Sequence, residues 1–370
     1  MSYYNIKKNF GFGCMRLPMR DGQVDNAEMI RMVDAFLANG FNYFDTAHGY
    51  LDGKSEVALR ECLTSRYPRE SYVLTNKLTG YLFNRYEDIH PFFYYQLEQC
   101  GVDYFDFYLM HAQDRNTYAK FKACGAYEAA LQLQAEGRIK HFGISFHDTA
   151  ELLEQILTEY PQIEVVQLQF NYVDYEDPSV QSQKCYEVCR RFGKPVIVME
   201  PVKGGSLVNL PWEAQNILNE LGGGSNASYA IRFAASFDGV MMVLSGMGNM
   251  DMMRDNLSYM QSFQPLTAEE NAALEQVCEI LRSVDLIPCT ECRYCTEVCP
   301  QKIAIPTVLS CLNNKKLYVG WDAAHFYNTF YAVEGSNPGD CIECGACENA
   351  CPQQLEIRKL LKDAAAVFAQ

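Results

Sequence analysis

The chain has 370 residues, enough for two domains, and its 48% apolar and 21% charged residues give a globular balance with ample core material. It carries 31 Lys and Arg against 46 Asp and Glu, a net charge of −15 that sets it against nucleic acid phosphates and anionic membrane surfaces. Its apolar runs fall far short of the ~20 residues of a membrane span, and the opening MSYYNIKKNFGFG lacks the apolar core of a secretory signal, so a cytoplasmic chain is expected.

Strand-like and helix-like stretches alternate from the N-terminus to about residue 260. Strands are predicted near 9–13, 41–44, 72–75, 105–110, 139–145, 165–170, 195–199 and 240–245. Helices are predicted near 26–38, 55–63, 86–100, 126–135, 149–157, 180–192, 225–235 and 250–259. Several strands are near-continuous apolar runs, as parallel strands buried on both faces require. Asn39-Gly40, Glu136-Gly137 and Phe192-Gly193 put glycine where a helix ends. Eight such units in about 250 residues predict an α/β fold, a (β/α)8 TIM barrel. A doubly wound sheet would want G-x-G-x-x-G after its first strand, but Gly11-Phe12-Gly13 runs on into Cys14-Met15-Arg16. The barrel is placed at 1–262, a linking helix capped by Thr267 and Glu270 at 263–285, and a second domain at 286–370. That domain has an insert at 300–340 and an amphipathic helix at 355–368.

Of 16 cysteines, eight fall in two tight runs. Cys289, Cys292, Cys295 and Cys299 precede Pro300, and Cys341, Cys344, Cys347 and Cys351 precede Pro352. Each run reads C-x2-C-x2-C-x3-C-P, the pattern of two-cluster ferredoxins, in which the fourth cysteine serves the other cluster. Cys289, Cys292, Cys295 and Cys351 are thus expected to hold one [4Fe–4S] cluster, and Cys299, Cys341, Cys344 and Cys347 a second. Zinc sites pair their ligands differently, and a chain without an export signal is a poor setting for disulfides. The remaining cysteines, Cys14, Cys62, Cys100, Cys124, Cys185, Cys189, Cys278 and Cys311, read as packing. The insert carries Trp321, Phe326, Tyr327, Phe330 and Tyr331, read first as packing against the barrel and second as a lid.

In TIM barrels the chemistry sits where strands end. The second predicted strand ends in Asp45, followed by Thr46-Ala47-His48-Gly49-Tyr50; the third leads to Lys77 and the fourth to His111. In FNYFDTAHGY, LTNK and DFYLMH the chain resembles the aldo-keto reductase superfamily, over essentially the whole barrel, and the cysteine runs make it similar to the subgroup with a C-terminal ferredoxin-type domain. The resemblance implies a catalytic set of Asp45, Tyr50, Lys77 and His111. A tyrosine is a weak acid near neutrality, and a lysine ammonium beside it, held by a carboxylate, favours release of its proton. His111 would orient the substrate oxygen, while His48 is read as a loop or pocket residue.

The resemblance further implies a nicotinamide dinucleotide laid across the barrel mouth. Its carboxamide falls to Ser145 and Gln167, with Phe146 standing where the family has Asn. Met199 takes the place of a Tyr under the ring, and Pro201, Gly204 and Gly205 follow on the pyrophosphate side. Ser245, Gly246 and Gly248 lie after the eighth strand, and Asp255-Asn256 matches the pair that binds adenine. Gly246 and Met252 stand where many members place cations for a 2′-phosphate, and family grounds favour NADP(H) over NAD(H). The expected reaction is reduction of a small-molecule carbonyl, or oxidation of an alcohol, with the clusters as an electron-transfer appendage and a redox protein as candidate partner. Nucleic acid and membrane partners are not expected. The alternative is a redox-sensing or electron-transfer protein whose barrel binds nicotinamide without carbonyl turnover.

Overall fold

The computed structural model describes residues 4–178, 180–317, 324, 327–328 and 337–368. Trp321, Phe326, Phe330 and Tyr331 of the insert lie outside the described residues.

Among the described residues eight strands close a barrel. They are β1 (Phe10–Gly13), β2 (Tyr43–Asp45), β3 (Val73–Leu78), β4 (Phe105–Gln113), β5 (Ile139–Phe146), β6 (Val165–Gln169), β7 (Val196–Met199) and β8 (Val240–Gly246). Each pairs in parallel with the next, and β8 returns to β1 with Phe10 opposite Val243. Tyr43, Val73, Phe107, Leu109, Val165, Ile197 and Met242 share one buried cluster. Burying both faces of parallel strands demands such runs. Some of the barrel helices begin at side-chain caps: Asp25 accepts from the Glu28 amide, Thr149 from Leu152 and Asn249 from Met252. Gly40, Gly137 and Gly193 each turn the chain after a helix with positive φ, as expected.

Two compact units form. The first is Met1–Pro201 with Ala227–Leu266, the second Val202–Asn226 with Thr267–Gln370. This differs from a division at residue 262. The loop after β7 packs with the C-terminal part, where helix Trp212–Glu220 lies on helix Ala268–Ser283 and buries Ala214 and Leu218, while the partner helix buries Leu274 and Val277. The anticipated Thr267–Glu270 capping box opens that long helix.

The second unit has its own core, including Ile303, Ile305, Val308, Leu361, Ala364 and Phe368. The insert contributes helix Ile305–Leu317, and Tyr327 is buried with its ring stacked on Phe368 at 4.4 Å. Among the described residues no helix is long and apolar enough to cross a membrane.

Candidate functional site

Asp45 ends β2 beside Thr75 of β3, and Lys77 lies two residues further along β3, so their side chains meet at one end of the barrel. The Lys77 ammonium, fully buried, donates to Asp45 Oδ1 at 2.5 Å, to the Thr46 carbonyl at 2.8 Å and to the Tyr50 hydroxyl at 3.1 Å. Gln167 of β6 donates to the other Asp45 oxygen at 3.2 Å. Burial pushes the Asp45 carboxyl up and the Lys77 ammonium down; each partner's charge opposes the shift in the other, which makes the pair mutually dependent.

His111 sits inside β4, where the pairing with β5 shifts register between Met110 and Gln113 and Ala112 takes a φ of 50°. Such an irregularity re-aims a strand's side chains. It is held in place by Ser145, whose hydroxyl accepts from the Ala112 amide at 2.7 Å. The His111 ring lies edge-on to Tyr50 at 6.1 Å, and its Nδ1 shares a 2.9 Å hydrogen bond with Thr79 Oγ1. Burial, then the Lys77 charge, then His147 hold His111 well below the usual histidine range, so the ring is neutral.

The structure thus brings together Asp45, Tyr50, Lys77, His111, Ser145 and Gln167. Thr79 and Gln113, which anchor His111 by side chain and backbone, belong to no motif and were not singled out. His48 is bonded through Nδ1 to buried Glu56 at 2.6 Å, and Glu56 in turn accepts from Asn76 and Gln96.

At the end of β8, Asn256 donates to the Ser245 hydroxyl at 2.7 Å and accepts from Tyr259. Asp255 is half-buried beside it. Gly246 leaves room for the stem of Arg16, since a Cβ there would lie 3.3 Å from Arg16 Cδ, and Gly248 lies near the Arg16 carbonyl. Arg16 was not singled out from the sequence, although it follows directly on the Gly11-x-Gly13 stretch. The chemistry of these groups is of the kind a nucleotide requires: Gln167 of β6 directs its amide nitrogen to Asp45 and so keeps a carbonyl for a carboxamide, and Arg16 is a cation at the glycine-lined end of β8. Met199 is half-buried and Pro201 buried at the end of the first unit. Gly204 and Gly205 belong to the second unit, where Gly204, at φ 66°, lies so close to Thr290 that a Cβ would fall 2.5 Å from its carbonyl oxygen.

Also in the second unit, two small cavities open among the cysteines. One is lined by Cys289, Cys292, Cys295 and Cys351, the other by Cys299, Cys341, Cys344 and Cys347. The fourth cysteine of each run therefore faces the other run's cavity. Apart from the thiols, mostly apolar side chains line them, among them Leu309 and Ile357 in the first and Ile303 and Leu361 in the second. Among the described residues no three His, Cys, Asp or Glu side chains draw together around a point that one ion could fill. Four soft thiols lining each cavity, drawn from C-x2-C-x2-C-x3-C-P runs, suit an iron–sulfur cube better than a lone zinc. Burial raises the Cys295 thiol, and raises that of Cys347 to about 11. Of the other eight cysteines, seven are buried and Cys124 is half-buried.

A family model for the aldo/keto reductase family matches residues 9–279, and one for a 4Fe-4S dicluster domain matches residues 288–356. The chain is 27% identical over 208 residues to the NADH-specific methylglyoxal reductase of Escherichia coli (strain K12), covering 51% of this chain and 61% of that protein. It is 24% identical over 204 residues to an uncharacterized oxidoreductase of Bacillus subtilis (strain 168), covering 55% and 66%. The chain thus spans a little under two thirds of the length of these curated relatives. An aldo-keto reductase from Klebsiella pneumoniae solved in complex with NADPH superposes with a TM-score of 0.60 at 20% identity, over 73% of this chain and 90% of that one. The holo form of an aldo-keto reductase from Bacillus halodurans gives 0.59 at 23%, over 73% and 91%. At such identities the structural matches speak for the fold.

Proposed function

The chain belongs to the aldo/keto reductase family and carries a C-terminal 4Fe-4S dicluster domain, and from that premise we propose that it is an NAD(P)H-dependent oxidoreductase that reduces a small-molecule carbonyl, or oxidises the matching alcohol. The observation that carries this reading is the single buried ammonium of Lys77, bonded at once to Asp45 and to the Tyr50 hydroxyl.

Bound NADP(H) supplies the hydride for the carbonyl carbon. Tyr50 gives its proton to the substrate oxygen, and the Lys77 ammonium stabilises the phenolate as it forms. Asp45 keeps that ammonium charged in a site where burial works against charge. His111, neutral and fixed by Thr79, hydrogen-bonds the substrate oxygen and sets its approach. With the nucleotide bound, Ser145 and Gln167 would hold the carboxamide and Met199 would pack on the ring. Pro201, Ser245, Gly246, Gly248, Asp255 and Asn256 would serve the adenosine side, and Arg16 would meet a phosphate. The contact that Gly204 makes within its own unit is with Thr290.

Cys289, Cys292, Cys295 and Cys351 would hold one [4Fe–4S] cluster, and Cys299, Cys341, Cys344 and Cys347 the second, each passing one electron at a time. Such clusters suit a reducing compartment. The test is anaerobic turnover of an aldehyde and ketone panel with NADPH and with NADH. Tyr50→Phe should lower kcat by ~10²–10⁴-fold with nucleotide Kd nearly unchanged. Equal turnover in the two proteins would overturn the reading in favour of electron transfer or redox sensing. Iron analysis should find about eight irons per chain.

A further inference from the structure

The two cysteine runs repeat one local structure, and the way they differ points outward. Residues 289–302 and 341–354 share the order of cysteines and the Pro-Gln that follows. Left-handed residues recur at matching places: Glu291 and Glu343 both at φ 54°, Arg293 at 69° and Gly345 at 77°, Lys302 and Gln354 both at 52°. In the first repeat the residue after the leading cysteine, Thr290, is 3% exposed, with the Gly204 backbone laid against it. Its twin in the second repeat, Ile342, is 58% exposed. Exposed Asp340 and Glu343 flank it, and beside it stands Cys344, the exposed one among the sixteen cysteines. One twin is covered by the chain itself. The other presents an apolar side chain, two carboxylates and a thiol to solvent, with Arg358, the cation beside Gly345, paired to Glu348.

We propose that the face of Ile342, Glu343 and Cys344 docks a one-electron carrier protein that presents an apolar patch ringed by Lys or Arg. This rests on the cluster reading above. The charge complement follows from Asp340 and Glu343 and from the net −15 of the whole chain, which draws a basic partner in from a distance. A cluster held by the exposed thiol of Cys344 would lie close to the surface, and electron exchange falls off steeply with distance. One electron passes from the reduced carrier to the oxidised cluster. The carrier is oxidised by one electron, the cluster is reduced by one, and no bond or proton is exchanged; the reverse transfer uses the same face.

Ferric cytochrome c, a basic one-electron protein, serves as the probe. The full chain is reduced anaerobically, freed of excess reductant and mixed with the probe in stopped flow. The second-order rate should fall at least about tenfold between about 20 and 300 mM salt. Asp340→Lys with Glu343→Lys should lower the low-salt rate about tenfold, and Ile342→Ser about threefold. Glu291→Lys in the first repeat should change it less than about twofold. Iron content and the EPR signals of both clusters confirm that each variant is loaded. Equal effects at 291 and 343, or a rate indifferent to salt, overturn the proposal. If the wild-type chain holds no iron, the cluster reading fails and this falls with it. If it holds both clusters yet Glu343→Lys changes nothing, the docking face alone is wrong. If Ile342→Ser turns a dimer into a monomer in sedimentation and leaves the rate untouched, the face joins two copies and the proposal is overturned.

Discussion

Lys77 has no exposed surface and holds three oxygen partners, so its removal leaves the buried carboxylate of Asp45 with only Gln167. Breaking a buried pair from one side costs about 3–5 kcal/mol. Lys77→Met should lower the unfolding free energy by that order in denaturant titration, and adding Asp45→Leu should recover part of it. A loss under about 1 kcal/mol would show that burial has already protonated Asp45 in the fold, the direction in which its surroundings push it. Arg16 supports a different expectation. A charge-assisted hydrogen bond is worth about 1.5–3 kcal/mol, so Arg16→Met should raise Kd for NADPH about tenfold or more. The NADH value should move little if the guanidinium meets the 2′-phosphate, and titration of both nucleotides distinguishes this from a pyrophosphate contact, which would weaken both.

At the level of elements, the irregular stretch of β4 and the end of β5 hold two histidines against protonation. His111 is kept well below the ordinary range, and burial takes His147 down to about 4. Between pH 6.5 and about 4 the unfolded chain binds protons that the folded one refuses, so stability is present above that window and falls as pH drops through it. The thermal midpoint should decline accordingly, and His147→Asn should remove up to about 1.4 kcal/mol per pH unit of the slope. An unchanged slope would place the His147 ring in water. The same region shows what a sequence conveys and what it hides. The barrel strands were legible because both faces are apolar. The ends of β3 and β4 were read short because Lys77, His111 and Gln113 look like residues that terminate strands, whereas here they are buried with partners. The tetrad was legible as a motif. Its supports, Thr79 and Gln113, were not, because one hydroxyl and one amide among many become significant only when folding sets them beside His111. Helix Arg115–Ala123 has no apolar stripe to announce it, since Tyr118 and Phe121 are its buried side chains.

For the whole molecule, the crossed lining of the two cavities carries its own expectation. Cys351→Ala should weaken the cluster facing Cys289, Cys292 and Cys295, more than 50 residues away in sequence, and spare the one facing Cys341, Cys344 and Cys347. Iron analysis with EPR on the anaerobic protein checks this, and loss of the neighbouring cluster instead would assign ligands within each run.

The path of the chain between its two units has a further consequence. It passes from one to the other three times, at 201/202, 226/227 and 266/267. A domain gained by fusing one gene to the end of another would be joined by a single seam, and could be cut away or moved as a cassette. Here the iron-binding part has taken residues 202–226 from within the barrel's own sequence and rests Thr290 against Gly204. Transplanted without residues 202–226, residues 267–370 would leave Thr290 uncovered, so that stretch alone is expected to be less stable than one that keeps the loop.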